Sequence, residues 1–282
     1  MKSCTEILIE GLLFPEGPRW HDGKLWFSDM YAGTVNTVDL MGRLEMVARV
    51  AGQPSGLGWL PDGRLLVVSM TDRRLLRMDT TGLTTAAELS DYASSLCNDM
   101  VVDRQGRAYI GNFGFDLFCA NPVVTPTALL LVTPEGTVRV VGKDLLFPNG
   151  TVITPDERTL IVAETFGARL SAYTILPDGA LADRYIWAEL PASEPDGICL
   201  DAEGAIWVAA PNLGEVLRVR EGGEIIGRII VATRPYACML GGPERRHLFV
   251  LTAPSSHPEE CARLKAGRIE MVRVDVPGAG LP

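Results

Sequence analysis

A chain of 282 residues with 47% hydrophobic and 22% charged side chains can build a sizeable core, and no long polar tract interrupts it, which excludes wholesale disorder. A formal charge of −9 with no basic stripe excludes a nucleic-acid or anionic-membrane footprint.

From the N-terminus, residues 5–11 (TEILIEG) set Glu6 and Glu10 inside an apolar stretch, the pattern of a strand rather than of a signal peptide. No apolar run reaches the roughly 18 residues of a membrane-spanning helix. The expectation is a cytoplasmic protein whose residues 1–282 form a single domain.

Six segments then repeat one plan: a turn-forming pair, a short apolar strand, a polar turn and a second apolar strand. In chain order they begin PEGPRW (15–20), PSGLGW (54–59), CNDMVV (97–102), PNGTVI (148–153), PDGICL (195–200) and PYACML (235–240). The second residues of the pairs are Gly17, Gly56, Asp99, Gly150, Gly197 and Ala237, spaced by 39, 43, 51, 47 and 40 residues. Such a period is the length of a four-stranded propeller blade. Third strands follow, among them residues 74–80, 128–134, 170–176, 215–220 and 268–276, and fourth strands at 44–51, 137–145 and 184–190. The sixth unit runs out of chain before a fourth strand, whereas residues 5–11 have no blade. Pairing the two closes the ring and removes both sheet edges. The sequence therefore predicts an all-β, six-bladed propeller of four-stranded blades, clasped by its N-terminal strand. No WD signature and no alternating helices argue otherwise.

The repeats also serve as an internal alignment. The first residues of the pairs are Glu16, Ser55, Asn98, Asn149, Asp196 and Tyr236, expected at the starts of the innermost strands and at one depth in the central channel. One Asx or Ser at a turn is an ordinary cap. Two carboxylates and two amides at matched register are different, because like charges around a narrow channel repel unless a cation compensates them. An all-oxygen donor set suits Ca²⁺, Mg²⁺ or Mn²⁺.

Two long loops sit beyond second strands, at 112–127 and 253–267, where lids over the channel mouth are expected. The first carries Phe113, Phe115 and Phe118, which either line the pocket or pack beneath the loop. The six cysteines (4, 97, 119, 199, 238 and 261) contain no CxxC pair and are read as thiols, with a Cys119–Cys261 bridge between the lids the one pairing left open. His21, His247 and His257 lack ligand spacing; Cys97 lacks a base to activate it. Glu164 and Arg169 are read as a structural pair on the pocket rim.

The segments FPEGP, CNDMVVD, FPNGTVITPD, PDGICLDAEGAIWVA and CMLGG resemble the family of senescence marker protein, gluconolactonase and luciferin-regenerating enzyme over essentially the whole chain. That resemblance implies lactone hydrolysis with one divalent ion at the channel mouth. Calcium is the first expectation; magnesium, manganese, zinc and iron(II) are the alternatives. By position it implies Glu16, Asn149 and Asp196 as metal ligands, Asp196 also as the catalytic base, and Asn98 as a ligand of substrate or metal. Sugar-lactonase members often carry Arg two residues before that Asn; here Leu96 stands there, followed by Cys97. With Phe113 and Tyr236 also expected to meet substrate, the pocket is expected to prefer less polar lactones. A phosphotriester or aryl ester on the same site, and a non-catalytic calcium- or ligand-binding propeller, remain the alternatives. The expected partner is a small molecule, the expected assembly a monomer or small homo-oligomer.

Overall fold

The apolar runs and their turn residues become twenty-four strands and one short helix in a computed structural model that describes residues 5–281. Cys4 lies outside the described residues. The strands form six antiparallel sheets of four, numbered here as blades one to six in chain order. Five blades are consecutive meanders, which short hairpins permit. The sixth joins the N-terminal strand Glu6–Leu12 to the last strand, Gly267–Arg273, with Glu6 opposite Met271 and Leu12 opposite Gly267. The expected clasp is present, and both ends of the ring lie in one sheet.

The inner strands are Pro15–His21, Pro54–Trp59, Cys97–Val102, Pro148–Ile153, Ile198–Leu200 and Arg234–Gly241. The glycine that follows four of the six first positions has a steric reason. A Cβ on Gly17, itself at φ 55°, would stand 2.6 Å from the Ser55 carbonyl oxygen, and one on Gly150 would stand 2.5 Å from the Ile198 nitrogen. Neighbouring inner strands meet backbone to backbone around the channel, so the repeat records a close approach. Apolar faces of adjacent blades pack together outside it. Phe27, Leu248 and Phe249 belong to the cluster that joins blades six and one, and Val68, Met100 and Ile110 to that between two and three.

One feature lies beyond the expected plan. After the last strand the chain crosses the far ends of the inner strands, opposite the Glu16 end. The Gly278 nitrogen donates to Arg245 O (2.8 Å), Ala279 N to Leu200 O (2.9 Å) and Leu281 N to Ile153 O (3.2 Å). The tail thus ties blades six, five and four together. No helix among the described residues is long and apolar enough to cross a membrane.

Candidate active site

A pocket of about 360 Å³ opens at the starts of the inner strands. Glu16, Asn98, Asn149, Asp196 and Tyr236 line it, so five of the six register positions converge as expected. Ser55 does not line it. It is buried between blades, its carbonyl accepting the Ser28 hydroxyl at 2.6 Å, and Gln53 and Thr71 represent the second blade instead.

Backbone irregularity aims these side chains. The ladder between inner and second strands slips between Glu16 and Arg19, Pro54 and Leu57, Cys97 and Met100, Pro148 and Thr151, and Pro235 and Ala237. A bulge re-aims the residue beside it and often marks a functional rim. In blade five Asp196 precedes the strand and is fixed by its own nitrogen donating to Ala209 O at 3.0 Å.

The floor of the pocket is acidic and poorly compensated. Glu16 receives one hydrogen bond, from the Gly17 nitrogen at 2.9 Å. Burial, with the nearby Asp99 charge, pushes its carboxyl up to about 8 against the pull of that bond and of Arg19. Burial likewise raises Asp196 well above the usual carboxylate range, reinforced by Glu16 and Asp99, although Asn149 and the Gly197 nitrogen favour its ionised form. Asn149 is oriented in turn: its Nδ2 donates to Thr165 Oγ1 (3.2 Å), which donates to Pro195 O (2.8 Å). One N–H of Asn98 is committed to Pro148 O at 3.3 Å, leaving its Oδ1 to the pocket.

A second buried group adjoins these residues. Asp99 replaces the recurring glycine of the third blade and pairs with Arg19 at 2.8 Å, both side chains almost wholly buried. Arg19 also donates to the carbonyls of Pro18 (2.7 Å) and Met100. The carboxylate at a glycine position was the visible signal for it; nothing in the repeat marked Arg19 as its partner.

Among the described residues no three His, Cys, Asp or Glu side chains assemble into a metal cluster. The expected donor set contains only two carboxylates, its remaining oxygens being amide. It fits a hard divalent cation on one structural ground: Glu16 and Asp196 destabilise each other's ionised forms, while the nearest cation, Arg19, is engaged by Asp99.

The walls are aromatic and aliphatic. Phe14 packs on Tyr31 and Tyr236 with centroids 5.1 and 4.7 Å apart, and Phe113 stacks on Phe147 at 4.3 Å. Leu96 lines the pocket, its carbonyl accepting the Phe113 nitrogen at 2.9 Å. Of the three lid phenylalanines, Phe113 and Phe118 line the pocket; Phe115 does not, because it packs between Phe147 and Phe166. Phe14, Phe147 and Phe166 were not expected there, although Phe14 and Phe147 stand two residues before Glu16 and Asn149, the register that Leu96 holds before Asn98, and that signal could have found them.

The two lids do meet, Phe118 lying 6.1 Å from His257, but the disulfide left open between them is not formed. Cys119 is exposed, whereas Cys261 is buried and donates to Ser255 O at 3.0 Å. Cys261 sits on the helix Pro258–Leu264, within what was expected to be loop; proline at its start, Glu259 and Glu260 in the first turn and Arg263 in the last were legible start and stop signals. Cys97 is buried, its thiol pushed up to about 12 by burial, so it is no nucleophile. Glu164 and Arg169 do pair, at 2.9 Å, but Glu164 is fully buried and does not line the pocket, although Thr165 and Phe166 beside it do.

With this geometry the sequence comparison becomes specific. The SMP-30/gluconolactonase/LRE-like region matches residues 14–254. The chain belongs to that family. The pentonolactonase XacC of Haloferax volcanii is 27% identical over 301 aligned positions, covering 99% of this chain and 97% of that relative. Among solved structures, a luciferin-regenerating enzyme superposes with a TM-score of 0.83 at 17% identity, covering 99% and 98% of the two chains. A calcium-binding protein, regucalcin, of Agrobacterium tumefaciens superposes with 0.81 at 23% identity, covering 99% and 97%. At such identities the two superpositions speak for the fold alone. The family member described here shares their propeller.

Proposed function

We propose that this chain is a divalent-metal-dependent lactonase whose pocket prefers lactones less polar than aldonolactones. The observation that carries the reading is the Glu16–Asp196 pair, buried with Asn98 and Asn149 at the floor of an apolar pocket. The relative named a pentonolactonase supports the lactonase part of that reading.

Glu16, Asn149 and Asp196 would hold the cation. When bound there, it supplies Lewis acidity to an ester carbonyl and charge stabilisation to the oxygen that becomes negative. The residues of the chain do the rest. Asp196 takes the proton of the attacking water as general base, assistance worth ~10²–10⁴-fold in rate. Asn98 meets a substrate oxygen with its uncommitted amide groups. Phe14, Phe113 and Phe147 displace water around the acyl chain and orient it. Leu96 offers no hydrogen bond to sugar hydroxyls.

A proton-release assay across a panel of alkyl, aryl and sugar lactones, with an aryl ester included, tests this directly. Hydrolysis should disappear with chelator, return on adding a divalent cation, and be fastest for the alkyl and aryl lactones. Turnover that ignores exhaustive chelation would overturn the metal-dependent reading.

A further inference from the structure

Arg234 and Tyr236 open the inner strand of blade six and both line the pocket. The ladder slips between Pro235 and Ala237, and the bulge leaves both side chains at the pocket. The only other arginine on an inner strand, Arg19, is locked to Asp99 at 2.8 Å. Arg234 by contrast is exposed and makes no ion pair among the described residues. Glu194 lines the same pocket but does not pair with it.

Beside Arg234 stands a phenol with an unmet need. Tyr236 is 5% exposed, its ring wedged against Phe14, and its hydroxyl makes no hydrogen bond of good geometry. Burial pushes its pKa up to about 12, while Ser256 and Arg234 stand close enough to oppose that rise. One corner of an apolar pocket therefore holds a guanidinium without an ion pair beside a buried hydroxyl that lacks a well-formed hydrogen bond. A neutral, wholly apolar substrate would offer an acceptor to neither.

We propose that Arg234 and Tyr236 bind an anionic substituent, so that the substrate is a lactone with an apolar body and a carboxylate remote from the ring. This rests on the lactonase reading of the pocket floor. A carboxylate matches the planar guanidinium fork with two parallel hydrogen bonds and offers the phenol its missing acceptor. The Asp196 charge reaches the Tyr236 hydroxyl as well, so the guanidinium of Arg234, at the mouth end of the strand, is what offsets repulsion between the bound anion and the acidic floor. No covalent chemistry is added: the anion is a handle, and its binding energy positions the ring.

The test compares alkyl lactones with and without a terminal carboxylate on the side chain. For the wild type the ratio of kcat/KM, carboxylated over neutral, should be roughly tenfold or more, the worth of one good hydrogen bond to a charged group. In Arg234→Gln that ratio should collapse to about one, with the change carried by KM; Arg234→Lys should restore part of it, and Tyr236→Phe should lower it. A wild-type ratio near one, or an unchanged ratio in Arg234→Gln, overturns the proposal. Should the folded wild type open neither lactone, the lactonase reading fails, and the anion site is then judged by calorimetric titration. With chelator present, phenylacetate should bind the wild type but not Arg234→Gln, and phenylacetamide should bind neither. Equal binding of phenylacetate to both proteins, or to neither, sinks the anion site.

Discussion

Two buried glutamates, Glu16 in blade one and Glu164 in blade four, have environments that push them in opposite directions. Glu164 is fully buried and saturated: Arg169 donates to it at 2.9 and 3.0 Å, Arg184 at 2.7 Å, Ser171 at 2.5 Å and the Leu146 nitrogen at 2.9 Å. Burial opposes its ionisation, yet the bonds from Arg169, Ser171 and Leu146 N and the Arg184 charge outweigh it and hold its pKa below the usual range. Glu16 has one backbone donor and a second carboxylate facing it, and its pKa is pushed up to about 8. Burial is common to both. What differs is the supply of donors, and that supply separates a residue finished by the fold from one waiting for something to bind.

The comparison breaks most visibly at Asp196, the partner of Glu16. Asp196→Asn should cut hydrolysis by ~10²–10⁴-fold, because it removes the base together with a ligand. Thermal stability without metal should stay level or rise, because an uncompensated buried charge is gone. A melting curve beside the proton-release assay checks both halves, and a clear loss of metal-free stability would contradict the assignment. Glu164→Gln should do the reverse. It strands Arg169 and Arg184 and should cost about 3 kcal/mol in a denaturant titration, with kcat per folded molecule retained.

The pH dependence sharpens the same contrast. Because Glu16 is raised when folded, its ionisation penalises the metal-free fold increasingly from the unfolded value, about 4.3, up to about 8. Chelator-treated protein should therefore lose stability across that window; Glu16→Gln should flatten the loss, and added Ca²⁺ should offset it above pH 8. Glu164 has the opposite sign: its contribution is complete above the unfolded value and fades only as pH falls through its depressed pKa. Melting temperatures from pH 4 to 9 for wild type and both variants would show whether the two residues separate in this way.

The smallest expected effect concerns the wall rather than the floor. Leu96→Arg should raise kcat/KM for gluconolactone by roughly tenfold, about 1.4 kcal/mol of transition-state binding, relative to an alkyl lactone. A wild type that already prefers gluconolactone by that margin would remove the case for an apolar pocket.

Much of the site was legible because a propeller repeats. Matched register alone brought Glu16, Asn98, Asn149, Asp196 and Tyr236 to one pocket. The same alignment failed at Ser55, which turns into the blade interface where the ladder slips; Phe14 and Phe147, two residues before Glu16 and Asn149, share the register of Leu96 and went unused, whereas Phe166 comes from a loop outside the repeat. Arg19 was hidden for a related reason. Its partner, Asp99, is two blades away around the ring, and a channel-crossing pair has no counterpart in one-dimensional spacing. The Cys119–Cys261 pairing failed on local detail: shared rim position does not imply facing sulfurs, and the helix Pro258–Leu264 turns Cys261 inward.

Strand count, blade period and the clasp between residues 6–12 and 267–273 belong to the sequence itself, because apolar alternation and turn glycines are local signals and a missing strand must be supplied from somewhere. Which way each first-position side chain points, how far the carboxylates are desolvated, and which arginine is paired were decided only in the assembled ring. Bulges, burial and the distance between charges arise when six blades share one axis, and a pKa near 8 for Glu16 is a property of that axis rather than of any segment of chain.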